Sequence, residues 1–294
     1  MDKTNTNKKK RKLDIIVGLV NNSEISSIKQ TIMQILNIIN DPNSGAKDLG
    51  SAIEVDPPLS AKILKLANSA LYGFSRRISD IQESIVCIGF DAVRDLALSQ
   101  KVCELFTKTD VIDGYSRISL WKHSFASAIC GKLIYKSVFV EGGEHIYAAG
   151  LLHDLGIIVI DQFMQFDFVN ILRKIKTDKN NLVNIEDAVL GYNHMDIGGA
   201  ISENWNFPEE LTAAIGNHHT PDRVEERFSK IASTIFISEY VTQSKNIGYD
   251  ESPYKNKTLF QKCLRKLKLK EKILESIMEQ VKEEIAKMEK TGWF

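Results

Sequence analysis

Glu24-Ile25-Ser26-Ser27-Ile28-Lys29-Gln30-Thr31-Ile32-Met33-Gln34-Ile35-Leu36-Asn37-Ile38-Ile39-Asn40 sets its apolar residues at 25, 28, 32, 35, 36 and 39, steps of three and four. Isoleucine favours strands by propensity, but the alternation a half-buried strand needs is missing, so the period predicts a helix. Asp41-Pro42-Asn43-Ser44-Gly45 then breaks the chain. The same spacing continues outward. A short helix from about Ala46 to Val55 runs into Pro57-Pro58, residues suited to the first turn of the next helix, which carries Leu59, Ile63, Leu66, Ala67 and Ala70. Ser79 with Gln82 forms a capping-box pattern before Ile81, Ile85 and Ile88, and Asp91, after Gly89, is placed to cap a helix reaching about Phe106.

A polar stretch, Thr107 to Ser119, separates this region from a second one. There helices are predicted at about 118–136, 144–154, 157–175, 186–190, 194–204, 208–219 and 225–243. The segment from Gln243 to Thr258, with Gly248 and Pro253, reads as a linker. Leu274, Met278, Val281, Ile285 and Met288 then mark an amphipathic helix too short to assert a coiled coil, and it is read as docking on its own domain. The expected fold class is all-α: an N-terminal helical bundle (23–110) packed on a second bundle (111–240), followed by a linker and C-terminal amphipathic helices (241–294).

Composition sets outer bounds. The 294 residues are 43% hydrophobic and 26% charged, which excludes collagen-like, mucin-like and wholly disordered chains. Lys plus Arg and Asp plus Glu both total 38, so no whole-protein electrostatic footprint for nucleic acid exists. Cys87, Cys103, Cys130 and Cys263 contain no CxxC pair, which fits a reducing cytoplasm better than a disulfide framework. Lys8-Lys9-Lys10-Arg11-Lys12 before Leu13–Val20 imitates a signal peptide, but Asp14 interrupts the apolar run and no small-residue cleavage site follows. Residues 1–22 are therefore read as a mobile basic tail. No later run is read as approaching the ~20 apolar residues of a membrane helix, so no membrane insertion is expected. The stretch Lys262–Lys272, with six basic residues against Glu271, is read as a solvated face.

Five of the six histidines lie on faces that turn inward. His123 shares its face with Ala126, Ser127, Cys130 and Ile134; His153, followed by Asp154, shares one with Ile146, Ala149 and Gly150. His194 aligns with Ile197, Gly198, Ile201 and Trp205, and His218-His219 end a helix bearing Leu211 and Ile215. His145 is one position off an inward face and is read as exposed. Imidazole nitrogen with a carboxylate oxygen is a ligand set for zinc, iron or manganese. A neutral, hydrogen-bonded imidazole cluster is the alternative, because burying five imidazolium cations together would be prohibitive. Residue types alone leave both open.

Ala148-Ala149-Gly150-Leu151-Leu152-His153-Asp154-Leu155-Gly156 resembles the His-Asp signature of the HD phosphohydrolase superfamily, with His123 at the place of its first ligand histidine. Asn193-His194-Met195-Asp196-Ile197-Gly198 and His218-His219 are similar to the extra histidines of the HD-GYP branch, which hydrolyses cyclic diguanylate. The first half is foreign to that branch. Leu64-Lys65-Leu66-Ala67-Asn68-Ser69-Ala70-Leu71-Tyr72-Gly73, Ser84-Ile85-Val86-Cys87-Ile88-Gly89-Phe90 and the later Trp205-Asn206-Phe207-Pro208 resemble the HDOD family, the HD-related output domain of bacterial signalling proteins. The resemblance covers about residues 23 to 240.

What it implies depends on the departures. Ile157 stands where catalytic relatives commonly carry a lysine, and Ser238 stands where they carry a closing metal aspartate, with Glu239 read as one residue off face. Thr220-Pro221 replaces the Gly-Tyr-Pro triplet. Losing an ammonium and a carboxylate removes charges that would orient phosphate and hold metal. The resemblance therefore implies a cytoplasmic bacterial signalling scaffold or regulator with signalling-protein partners. Its pocket of His123, His153, Asp154, His194, His218 and His219 would hold a divalent transition metal (Fe, Mn or Zn) or a cyclic dinucleotide ligand. The alternative is a metal-dependent phosphohydrolase using the same six residues. Nucleic acid is the least favoured partner.

Overall fold

In the computed structural model, which describes residues 3–107, 111–141, 143–178, 180–249 and 256–290, the chain is almost entirely helical. The first helices are α1 (Lys3–Asn21), α2 (Lys29–Asn40), α3 (Ala46–Glu54), α4 (Pro57–Ala67), α5 (Ile81–Ile88) and α6 (Phe90–Cys103). A small antiparallel hairpin follows, β1 (Val111–Ile112) with β2 (Tyr115–Ser116), pairing Val111 with Ser116 and Ile112 with Tyr115. The second set is α7 (Arg117–Ile134), α8 (Glu144–Leu152), α9 (Leu155–Phe163), α10 (Gln165–Thr177), α11 (Leu182–Leu190), α12 (His194–Asn204), α13 (Glu209–Asn217) and α14 (Ser229–Ser244). Two more, α15 (Lys257–Lys266) and α16 (Glu271–Lys290), complete the described chain.

The predicted spacing is realised in the packing. Ile25, Ile28, Ile32, Ile35 and Leu36 are all buried, against α3 and α6. Pro57 opens α4, whose cap is Asp56 accepting from the Leu59 amide at 3.1 Å. Helix α16 lays Leu274, Ile277, Met278, Val281, Ile285 and Met288 on the rest of the fold, chiefly along α7. One apolar core runs through both helical sets. At the seam Arg94 of α6 reaches Asp91, Asp95 and Glu144, Lys132 of α7 meets Asp95, and the Ser99 and Tyr147 hydroxyls lie 2.6 Å apart. Helix α8 is thereby fixed against α6.

Several local expectations are corrected. Residues 3–21 are helix α1 and no mobile tail: Ile16, Val17 and Val20 are buried, an i, i+1, i+4 stripe that docks on α12. Lys9 pairs with Asp196 at 2.6 Å, Lys12 Nζ donates to the Leu190 carbonyl, and Trp205 Nε1 donates to Asn21 Oδ1. The cap of α5 is Asp80, one residue after Ser79, and α6 begins at Phe90 after Gly89, whose φ of 101° suits glycine, while Asp91 pairs with Arg94. The single helix predicted over 157–175 is two, broken at Met164, and the polar stretch 107–119 contains the hairpin. Glu144–Phe163 does have the length and apolar character of a membrane span, but the fold breaks it at His153-Asp154 and buries it as core. Of the linker read over 243–258, Asp250 to Lys255, with Pro253, lie outside the described residues, as does Gly142.

Candidate metal centre

Ser116 caps α7 by accepting from the Ser119 amide at 3.1 Å, and this helix carries His123 inward. Helix α8 crosses α7 at Gly150, where a Cβ would lie 2.4 Å from the Ala128 Cα; only glycine lets the backbones approach this closely and bring His153 to His123. At Gly156 a Cβ would lie 2.0 Å from the His194 carbonyl oxygen, so this second glycine seats α9 on the start of α12. The two glycines flanking His153-Asp154 are what gather four helices, α7, α8, α9 and α12, around that pair.

All six predicted residues meet in one buried cluster. His123, His153, Asp154, His194 and His218 are 0% exposed, and only His219 is partly open. His123 Nε2 lies 3.3 Å from His153 Nε2, and Asp154 Oδ2 lies 3.1 Å from His153 Nε2 and 3.7 Å from His123 Nε2. On the other side His194 Nε2 is 3.1 Å from both His218 Nε2 and His219 Nε2. Asp154 Oδ1 faces this second group, 3.5 Å from His218 and 4.0 Å from His194. One carboxylate thus divides its oxygens between two nitrogen groups. His145 stands apart, paired with Glu210 at 2.9 Å.

The outer nitrogens decide what the inner ones can be. His153 Nδ1 is 2.8 Å from the Gly150 carbonyl, His218 Nδ1 is 2.8 Å from the Ile215 carbonyl, and His194 Nδ1 is 2.6 Å from Glu186 Oε2. Each of these oxygens only accepts, so each Nδ1 carries the hydrogen, and each neutral ring turns an Nε2 lone pair inward. Two lone pairs facing at 3.1 Å repel unless a cation sits between them. A proton on His194 is one answer: burial works against its charge, but Glu186 outweighs that and raises its pKa above the ordinary value. His218 cannot supply it, since burial lowers its pKa to about 4, and burial with the neighbouring rings holds His219 well below its usual range.

A divalent metal is the other answer, and the donor set fits it. Neighbouring nitrogens each about 2.1 Å from one ion stand roughly 3.0–3.4 Å apart in octahedral or tetrahedral geometry, close to the 3.1 and 3.3 Å separations here. Neither Asp154 oxygen, both buried, accepts a well-formed hydrogen bond. Burial would raise the Asp154 pKa, yet positive charge at the surrounding rings, His153 first, holds it well below the usual carboxylate range, and neutral rings with lone pairs turned inward need a bound cation to do the same. His123, His153 and Asp154 form one group able to hold a metal ion, and His194, His218 and His219 another.

Two carboxylates here were not predicted. Glu186, fully buried, accepts from both the His194 amide at 3.0 Å and its Nδ1. It shares the inward stripe of α11 with Leu182 and Leu190, a signal that predicting only 186–190 cut off. Glu239, read as off face, is buried with Oε1 3.3 Å from His219 Nδ1, whereas Ser238 donates to the Thr234 carbonyl away from the rings. Helix α14 is buried on almost every side, so its sequence has no polar face from which to measure direction.

Residues 25–221, two thirds of the sequence, match the HDOD domain. The chain belongs to the HDOD family. An HDOD domain protein from Geobacter sulfurreducens superposes with a TM-score of 0.73 at 23% identity, over 88% of this chain and 90% of that one. A Marinobacter aquaeolei chain named for signal transduction gives 0.74 at 21% identity, over 89% and 58%. A Shewanella amazonensis chain named as a phosphohydrolase gives 0.64 at 22% identity, over 89% and 90%. These superpositions show a shared fold. An uncharacterized protein of Treponema pallidum is 25% identical over 236 residues; they span 79% of this chain and 44% of that protein's length.

Proposed function

We propose that this HDOD protein is a cytoplasmic signal-transduction regulator that acts through protein contacts, with one or two divalent transition-metal ions (Fe, Mn or Zn) held by His123, His153, Asp154, His194, His218 and His219. The observation that carries this reading is the enclosure of the cluster: five of the six donors are fully buried, and Nε2 atoms whose rings are tautomerically fixed face one another. A metal there would join four helices, α7, α8, α12 and α13, and the α8–α9 turn into one unit. Bound metal would supply Lewis acidity; the chain's own residues orient the rings and exclude water. Turnover would further require a substrate to reach the metal and a group to orient its phosphate. Ile157, at the lysine position, is fully buried core.

Family membership and the signal-transduction name of the Marinobacter neighbour support the regulatory part. Elemental analysis after metal-supplemented expression, with partner capture from the native cell by wild type and by His153→Ala/Asp154→Ala, tests the reading. Stoichiometric metal and partners lost by the double variant are expected. Efficient hydrolysis of cyclic diguanylate, abolished by His153→Ala, would replace the regulator with the phosphohydrolase.

A further inference from the structure

Helix α1 precedes the residues matched to the family and has two faces of different character. Its inner face, Ile16, Val17 and Val20, is fixed on α12, where Asp196 takes up Lys9 at 2.6 Å. The direction of the outer face is thereby fixed as well. Steps of three and four place Lys8, Arg11, Ile15 and Leu19 along it as one ridge. Ile15 is 66% exposed and Leu19 48%, two large aliphatic side chains one turn apart and left in water. Lys8, Lys10 and Arg11 are exposed too and form no ion pair among the described residues. Lys12 donates to the neutral Leu190 carbonyl, so its charge stays uncompensated. Asp14, the single acid of the helix, is turned about 100° from Ile15, on the side away from Leu19.

The charge selects an anionic partner, and the aliphatic pair selects its kind. Single-stranded nucleic acid is held by stacking on rings, and this ridge carries none. An acidic protein would answer the cations but would need an apolar pocket shaped to Ile15 and Leu19. An anionic bilayer offers charge across its whole surface with fluid hydrocarbon just beneath, and long basic side chains reach its headgroups while shorter aliphatic ones go deeper. We infer that α1 docks this protein on an anionic lipid surface, with Ile15 and Leu19 entering the headgroup boundary and Lys8 and Arg11 on the headgroups. Lys10 and Lys12 add to the attracting field. The helix lies along the surface and crosses nothing. It contributes no ligand to the histidine cluster, so this inference stands or falls independently of the metal.

Co-sedimentation of the full chain with phosphatidylcholine vesicles, with and without about 30% phosphatidylserine, tests it. The chain sediments with the anionic vesicles and not with the neutral ones, and less so as salt rises from about 0.1 to 0.5 M. A cation near such a surface is worth about fivefold in affinity, so Lys8→Gln/Arg11→Gln loses about 25-fold. Ile15→Gln/Leu19→Gln loses about tenfold or more at unchanged Tm, because both side chains are exposed. No sedimentation with anionic vesicles, equal sedimentation with both kinds, or wild-type binding by either double variant overturns the inference. Tighter retention by single-stranded RNA or by polyglutamate than by anionic vesicles at the same salt overturns it too, in favour of a nucleic-acid or a protein partner.

Discussion

Glu186 Oε2 lies 2.6 Å from His194 Nδ1 and also accepts the His194 backbone amide, so one carboxylate fixes both the ring and the first turn of α12. Carboxylates behind ligand histidines set the tautomer and raise ring basicity. Glu186→Gln keeps the shape but loses the anion and lets the amide group turn either way toward Nδ1. It should retain the helical fold and lower metal affinity by about 10–100-fold. Chelator competition, compared with wild type, reads the change. Unchanged affinity would show that Glu186 serves only α12.

Gly156 touches the His194 carbonyl so closely that a methyl group has no place, with 2.0 Å available to a Cβ. Gly156→Ala must push α9 from α12 and separate Asp154 from His194 and His218. A destabilisation of about 1–3 kcal/mol is expected from such overpacking, together with loss of metal from the His194, His218 and His219 group. Denaturant unfolding and elemental analysis measure both; wild-type values in both would mean that the helices shift without consequence.

The all-α fold was legible because α2, α4 and α5 bury one stripe each, and a stripe shows in the period of the sequence. The six ligand candidates were legible for a related reason: most of the histidines stand among small or apolar neighbours on a single face. Two features hid behind the same physics. Helix α14 is buried all round, which erased the direction of Glu239. In α1 the apolar stripe of Ile16, Val17 and Val20 is brief and follows five consecutive cations, so composition masked it. Close approach at Gly150 and Gly156 is a property of two helices together, and one chain's periodicity carries no record of it.

Helix α1 gives a direct check on that correction. Deleting residues 1–21 uncovers the surface that Ile16, Val17 and Val20 cover and removes the Asn21 acceptor of Trp205 Nε1. Full burial of each apolar side chain is worth about 1.5–3 kcal/mol before the cost of ordering the helix. The truncated protein should lose on the order of 3 kcal/mol of stability, and Trp205 should change its fluorescence. A mobile tail would leave both the same.

Protonation supplies the last prediction, for the metal-free protein. His218 has an ordinary pKa of 6.5 when unfolded, and burial lowers it to about 4 in the fold. Between those values the unfolded chain holds a proton that the folded one does not, so unfolding takes up a proton and stability rises with pH. His218's contribution is complete above pH 6.5 and disappears as pH falls toward 4, about 3 kcal/mol over the window. His219, also lowered, acts in the same direction. His194 opposes them: its raised pKa lends stability below pH 6.5 that is lost as pH rises through the folded value. Two lowered groups against one raised group give a net loss on acidification. Chemical denaturation from pH 7 to 4.5 should show a falling midpoint, and His218→Asn should flatten the fall. A midpoint constant across that range would mean that the rings accept protons without cost, and that the cluster is open to water.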